Sequence, residues 1–231
     1  MYLSLKIGAI FLADAHYNEK NIEFLIFLEK LKNKEIETPQ LFLMGDMFDF
    51  ISGESSYFIK INQDLIDIIN ELSKEIEIIY LEGNHDYNIK ELFPNVKVFS
   101  REEQPIKGKF KNKTVSFAHG DIFTPKSYDI YCKIIRNHRF LVFLNSIDIF
   151  NLLSKSIYRS LIKKEICYQM DSFGSFARKR LKSYSSDYVI EGHFHQGKIA
   201  VFNNKTYVNI PSLCCSKKYF LFNEKFIEVE L

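Results

Sequence analysis

Leu41-Phe42-Leu43-Met44-Gly45-Asp46-Met47-Phe48-Asp49 is the stretch from which the fold can be read. Four apolar residues closed by a glycine describe a short strand buried on both faces and ending in a tight turn. The carboxylate that follows needs a partner, because a buried unpaired charge is costly. The same arrangement recurs along the chain. Ile7 to Ala13 precedes Asp14-Ala15-His16, and Ile76 to Leu81 precedes Gly83-Asn84-His85-Asp86. Val115 to Ala118 precedes His119-Gly120-Asp121, and Tyr188 to Ile190 precedes Gly192-His193-Phe194-His195.

Between the first three strands the periodicity turns helical. Asn18 or Asn21 can cap a helix carrying Ile22, Leu25, Ile26 and Leu28, which Thr38-Pro39 ends. Phe58 to Leu72 predicts a second helix, with Ile61, Leu65, Ile68, Ile69 and Leu72 at helical spacing. A β-α-β-α-β order implies a largely parallel sheet covered by helices, whose strand ends open on one crevice. Val96 to Phe99 and Thr114 to Ala118 add strands, as do five short runs after Tyr188. Asn203-Asn204 and Asn223-Glu224 are suited to hairpin turns. The expected fold class is α/β, a mixed-sheet sandwich flanked by helices. The expected domain is one unit over residues 1–231, interrupted by a helical lid insertion at about 124–186.

The 231 residues are 26% charged and 46% hydrophobic, which excludes a disordered or collagen-like chain. The net charge of +2 gives no sign of a nucleic-acid partner, and no obligate protein partner is evident. That total hides an asymmetry. Residues 125–182 hold twelve Lys and Arg against four Asp and Glu, a balance of +8, so the remainder stands at −6. Phe140 to Leu153 is rich in Phe, Leu, Ile and Val but is interrupted by Asn145 and Asp148. It is too polar to span a membrane and suits either an interfacial helix or a buried helix of the insertion. Cys132, Cys167, Cys214 and Cys215 show no C-x-x-C spacing. A disulfide framework or structural zinc site is therefore not expected, and a reducing cytosol is the default compartment. Ala13-Asp14-Ala15 imitates a signal-peptide cleavage site, but cleavage there would remove one member of a matched ligand set.

Five of the six histidines fall in the strand-end motifs; His138 alone does not. In D-x-H and H-x-H spacing at an extended strand end, both donors face the same side. Imidazole and carboxylate without thiolate favour manganese, iron or zinc. Asp49, Asp86 and Asp121, beside the candidate ligands, are expected to orient them through hydrogen bonds.

The set resembles the calcineurin-like metallophosphoesterase superfamily, with its D-x-H, G-D-x-x-D, G-N-H-D/E, His-Gly and G-H-x-H blocks. The resemblance implies a two-layer sandwich with a dinuclear centre. Asp14, His16 and His195 would bind one metal, Asn84, His119 and His193 the other, and Asp46 would bridge them. His85 would stand near the scissile phosphate as the catalytic proton donor or charge stabiliser. Two such carboxylates against two divalent cations leave the site electropositive and receptive to a phosphate.

Within the superfamily the layout is similar to the UDP-2,3-diacylglucosamine hydrolases, which also carry a helical insertion between the third and fourth histidine motifs. That resemblance implies hydrolysis of a pyrophosphate to UMP and diacylglucosamine 1-phosphate in lipid A synthesis, with manganese as the metal. It implies a UDP-linked diacylated sugar as substrate, bound in part by Asn84, His85 and Tyr128. It also implies peripheral attachment at the cytoplasmic face of an anionic membrane. The chain departs from the better-known members at His85, where they carry Arg, at Phe194, where they carry Thr, and at Ala15, where they carry Leu. Phe140, Leu141, Phe143, Leu144, Ile149, Phe150, Leu152 and Leu153 could build an apolar cleft for acyl chains. Lys163, Lys164, Arg178, Lys179 and Arg180 are candidates for the diphosphate or the membrane surface. A soluble phosphodiesterase acting on nucleotides or other small phosphoesters is the alternative.

Overall fold

A computed structural model describes residues 2–231. The strands are β1 (Leu3–Ser4), β2 (Ala9–Leu12), β3 (Gln40–Leu43), β4 (Ile51–Ser52), β5 (Glu77–Leu81), β6 (Asp86–Tyr87) and β7 (Lys97–Phe99). They continue with β8 (Ile106–Phe110), β9 (Lys113–Ala118), β10 (Tyr188–Glu191), β11 (Lys198–Phe202), β12 (Lys205–Asn209), β13 (Lys218–Asn223) and β14 (Lys225–Glu230). The helices are α1 (Glu23–Lys32), α2 (Ser56–Ile61), α3 (Gln63–Leu72), α4 (Lys126–Ile135), α5 (His138–Ile147), α6 (Leu152–Leu161), α7 (Phe173–Leu181) and α8 (Leu213–Ser216).

Two six-stranded mixed sheets face each other, one ordered β1-β8-β9-β10-β12-β11 and the other β14-β13-β2-β3-β5-β7. The parallel runs are β2-β3-β5-β7 and β9-β10-β12. The sequence explains the layering. In β2, Ala9 and Phe11 enter the core between the sheets, while Ile10 and Leu12 pack under the helices with Phe24, Phe27, Leu28, Leu65 and Ile69. Both faces are buried, so the strand reads as an unbroken apolar run. Phe42 lies between Phe11 and Phe117 in a stack, with ring centroids 4.4 and 4.8 Å apart. On the outer face of the first sheet, α7 buries Phe173, Ala177 and Leu181 against Val189 and Tyr207.

At three places the local structure goes beyond or departs from the sequence reading. The helix expected over Phe58 to Leu72 is two helices, because Asn62 leaves helical geometry and its Nδ2 donates to Phe58 O at 2.8 Å. Strand β8 carries no apolar run to announce it; Gly108 is required there because a Cβ would lie 2.6 Å from the Phe117 ring. The Phe140 to Leu153 run is bent by 85° between α5 and the helix after it. Phe150 and Asn151 adopt φ of 55° and 58° at the bend. Asp148 caps α6 by accepting from Leu153 N at 2.8 Å and Ser154 N at 3.1 Å. The bend turns apolar side chains outward: Phe150 is 81% exposed and Ile149 and Leu152 are each 66% exposed. Among the described residues no single helix is long and apolar enough to cross a membrane.

The cysteine expectation is also overturned. Cys167, in the link between α6 and α7, forms a disulfide with Cys215 of α8, 48 residues away. Chain spacing cannot reveal this pair, because only the return of the helical segment over α8 brings the two together.

Candidate metal centre

The motif residues leave the carboxyl ends of β2, β3, β5, β9 and β10 at the same end of the sandwich. Donor atoms of Asp14, His16 and His195 converge within 4.8 Å of one another, and so do those of Asp46, His119 and His193. A third grouping, His16, Asp46 and His85, overlaps both. Asn84 Oδ1 lies 3.4 Å from His119 Nε2 and so adjoins the second cluster.

The backbone bends sharply to present these groups. Asp14, His16, Asp46, His193 and His195 have φ between 42° and 61°, the left-handed region that non-glycine residues enter at a cost. Gly83 is needed for close approach: a Cβ there would lie 2.2 Å from Asp46 Oδ1 and 2.6 Å from Asp46 N.

Hydrogen bonds behind the clusters fix the tautomers. His119 Nδ1 donates to Met44 O at 2.8 Å, His195 Nδ1 to Ile166 O at 2.9 Å, and His85 Nδ1 to Asp49 O at 2.6 Å. Each Nε2 is thereby left free, the arrangement expected of a ligating or reacting imidazole. Asp86 accepts from the backbone N–H groups of Asp46 (3.0 Å), Met47 (2.7 Å) and Gly83 (2.7 Å) and from Tyr80 OH (2.6 Å). It therefore sets the turn that aims Asp46. The Asp49 carboxylate lies 3.7 Å from His16 Nδ1, and Asp121 is gripped by Arg101 and Arg136.

The residues present suit bound cations. Asp14 Oδ1 and His16 Nδ1 are buried without a hydrogen-bond partner, which few buried polar atoms tolerate. His193 Nδ1 faces His119 Nε2 at 3.1 Å, two ring nitrogens that need a cation or a shared proton between them. The charges are strongly coupled. Burial alone would raise Asp46, but His119 and His85 hold its carboxyl well below the usual range. Asp14 is likewise lowered, by His195 and His119 against burial. Burial opposes the charged form of His119, yet Asp46 lifts its pKa well above the ordinary value. His193 is pushed down to about 4 by burial and by His119. Without a cation the Asp46 and Asp14 carboxylates hold a proton on His119; a bound divalent cation would take that proton's place, because a ligating imidazole must be unprotonated.

A model of the calcineurin-like phosphoesterase domain matches residues 9–197 of this chain. The chain belongs to the calcineurin-like phosphoesterase family. It is a metal-dependent phosphoric ester or anhydride hydrolase, and the family's chemistry implies divalent metal ions at these clusters. It is 26% identical over 212 residues to a UDP-2,3-diacylglucosamine hydrolase of Wigglesworthia glossinidia brevipalpis, covering 87% of this chain and 84% of that one. The hydrolase of that name from Neisseria meningitidis serogroup A is 24% identical over 202 residues, covering 83% of each chain. Among solved structures, an archaeal phosphodiesterase shares the fold with a TM-score of 0.50 at 15% identity, covering 97% of this chain and 100% of that one.

Other expected contacts are placed elsewhere. Tyr128 stands on the first turn of α4, its ring 5.9 Å from the Arg101 guanidinium and 6.0 Å from Tyr131, not among the imidazoles. Arg180 is turned inward and paired with Glu191, so it is not free for a diphosphate or a membrane. Arg178 lies 4.9 Å over the Phe202 ring, on the far side of α7. Lys164, with Lys20, borders a cavity of about 340 Å³ that reaches Asp49 and Cys214. Of the eight residues expected to build an apolar cleft, Leu141, Leu144 and Leu153 line a crevice of about 50 Å³ with Phe50 and Phe58. Several residues behind the site escaped sequence reading. Gln104 Oε1 accepts from His119 N at 2.6 Å, and Ser212 Oγ donates to Asp14 O at 2.9 Å. Glu191 carried a signal, a lone carboxylate in the apolar run before Gly192, because such a charge must be paired once buried.

Proposed function

We propose that the chain hydrolyses the pyrophosphate bond of UDP-2,3-diacylglucosamine, releasing UMP and 2,3-diacylglucosamine 1-phosphate, at the surface of an anionic membrane. In this reading Asp14, His16 and His195 hold one cation, Asn84, His119 and His193 the other, and Asp46 contacts both. The observation that carries the substrate is the breadth of the likeness to hydrolases of that name. The match extends over 87% of this chain and 84% of that hydrolase.

Held by these residues, two divalent cations, manganese by preference, would supply acidification of a water and charge neutralisation at the phosphoryl oxygens. The chain's own groups do the rest. Asp86 and Gly83 keep the Asp46 carboxylate aimed at both clusters. His85, its ring pinned through Nδ1, presents Nε2 to the oxygen of the departing sugar phosphate; only as the doubly protonated imidazolium would it donate a proton or hydrogen bond there. Lys20 and Lys164 border the neighbouring cavity and favour an anionic ligand there. Ile149, Phe150 and Leu152, facing outward at the bend where Lys155 Nζ donates to Phe150 O at 3.2 Å, give acyl chains and lipid an apolar surface beside a positive charge.

The test compares UMP release from UDP-2,3-diacylglucosamine, from a non-acylated UDP-sugar and from a bis-aryl phosphate, with manganese present. Release from the acylated substrate alone supports the reading. Equal turnover of all three would establish the small-phosphoester alternative. His16→Ala should lose metal and activity together, whereas His85→Ala should keep its metal and lose turnover by roughly 10²–10⁴-fold.

A further inference from the structure

Two arginines of the helical segment reach across to the loops that carry one half of the metal centre. Arg136, at the end of α4, is 9% exposed. One of its terminal nitrogens donates to Gly83 O at 2.8 Å and to Asp121 Oδ2 at 3.0 Å. Gly83 immediately precedes Asn84, and Asp121 follows His119 by two residues. Arg180, on α7, donates to Gly120 O at 3.1 Å and to Ile122 O at 3.0 Å, both in the loop after His119. Its guanidinium also forks onto Glu191, with Nε 3.0 Å from Oε2 and the second bond from a terminal nitrogen to Oε1. Glu191 ends β10 immediately before Gly192-His193 and is fully buried, with Tyr207 OH on Oε2 at 2.6 Å and Tyr184 OH on Oε1. The Arg180 guanidinium further covers the Phe194 ring at 5.3 Å.

The three loops touched are those of Asn84, His119 and His193. The other cluster is held differently. Asp14 is fixed by Gly45 O, His193 N and Ser212 Oγ, His16 by Asp46 O, and His195 by Ile166 O. Gln196 N, bonded to Asn209 Oδ1 at 2.7 Å, anchors the far end of the His193–His195 loop. Neither arginine enters that set. A guanidinium supplies planar, directional bonds to several acceptors at once, which an ammonium cannot reproduce.

We propose that Arg136 and Arg180 are positioning residues that clamp the Asn84, His119 and His193 loops together, so that binding of the second cation depends on these two guanidinium contacts and binding of the first does not. The inference rests on the two-cation reading above. It makes the segment part of the metal centre as well as a cover for the substrate.

The test uses Arg136→Lys and Arg180→Lys in the full chain, which keep the positive charge beside Asp121 and Glu191. Arg178→Ala is the control, on α7 but away from these loops. Mn²⁺ is titrated into the metal-free proteins by calorimetry, and electron paramagnetic resonance separates isolated from exchange-coupled Mn²⁺. Wild type and Arg178→Ala should bind two ions with a coupled spectrum. Each Lys variant should keep the first ion within about twofold, lose about 10–100-fold in affinity for the second, and show the six-line signal of isolated Mn²⁺. Far-UV circular dichroism and thermal unfolding verify folding; if a Lys variant fails to fold, its partner variant carries the test. Two ions bound with unchanged affinity in both Lys variants would overturn the clamp, as would equal weakening of both ions. A wild type binding fewer than two ions would overturn the two-cation reading and the clamp with it.

Discussion

Gly83→Ala is the sharpest probe of how the centre is built. A Cβ there meets Asp46 Oδ1 at 2.2 Å, Asp46 N at 2.6 Å and Asp46 Cγ at 3.0 Å. Ordinary contact is about 3.4 Å, so the carboxylate must retreat by about 1.2 Å. It has no slack. Asp46 Oδ1 accepts from His85 N at 2.8 Å, Asp46 N is held by Asp86 Oδ1 at 3.0 Å, and Asp86 is bonded to Gly83 N itself. Any retreat that clears the methyl group breaks at least one of these bonds. A hydrogen bond to a charged group is worth about 1.5–3 kcal/mol, and forced overpacking adds about 1–3 kcal/mol. The variant should therefore lose about 2.5–6 kcal/mol, lowering Tm by roughly 5–24 °C for a chain of this size. Displacing the Asp46 carboxylate, proposed above to serve both cations, by about 1 Å should cost on the order of 10²-fold in kcat. The assay is metal-saturated turnover of the acylated substrate, with thermal unfolding and metal content measured in parallel. A variant with wild-type Tm, two bound ions and undiminished kcat would refute this account of the turn.

Three further outcomes follow from the structure. Burial raises the Glu82 carboxyl to about 7, although Ile89 N donates to it and Arg136 lies nearby. The folded state then holds a proton that the unfolded state gives up, so this group's contribution to stability falls as pH rises from about 4.5 to 7. Glu82→Gln should match wild type near pH 4 and exceed it by up to about 3 kcal/mol at pH 8 in urea unfolding; a constant difference across pH would contradict this. Alkylation of the unfolded, unreduced chain should label Cys132 and Cys214 only, and reduction should expose all four cysteines. Breaking the 48-residue link should cost about 4 kcal/mol, and four labels without reductant would deny the link. Replacing Ile149 and Phe150 with Asp should weaken co-sedimentation with anionic vesicles several-fold while sparing turnover of a water-soluble aryl phosphate. Unchanged sedimentation would assign the apolar surface another role.

The sequence determined the catalytic body. Buried parallel strands must be apolar on both faces, and the first polar residues after each strand share one end of the sheet. The five motifs could therefore be gathered at one crevice from Leu41 to Asp49 outward without coordinates, and the family resemblance named Asp14, His16, Asp46, Asn84, His119, His193 and His195 as the ligands among them. What the sequence could not determine lies wherever a long-range partner assigns the role. Arg180 is one basic residue among twelve in its segment until Glu191 and two loop carbonyls surround it. Asp121 looks like a companion of His119, yet its carboxylate is spent on Arg101 and Arg136. Cys167 has no partner in spacing and acquires one only when the segment folds back over α8. The Phe140 to Leu153 run could be read as buried or interfacial until left-handed residues at Phe150 and Asn151 turned its apolar side chains to solvent. Periodicity records which face of an element is buried. It carries no record of which distant group fills the space beside it, and that packing assigned the arginines, the disulfide and the outward face of the helical segment.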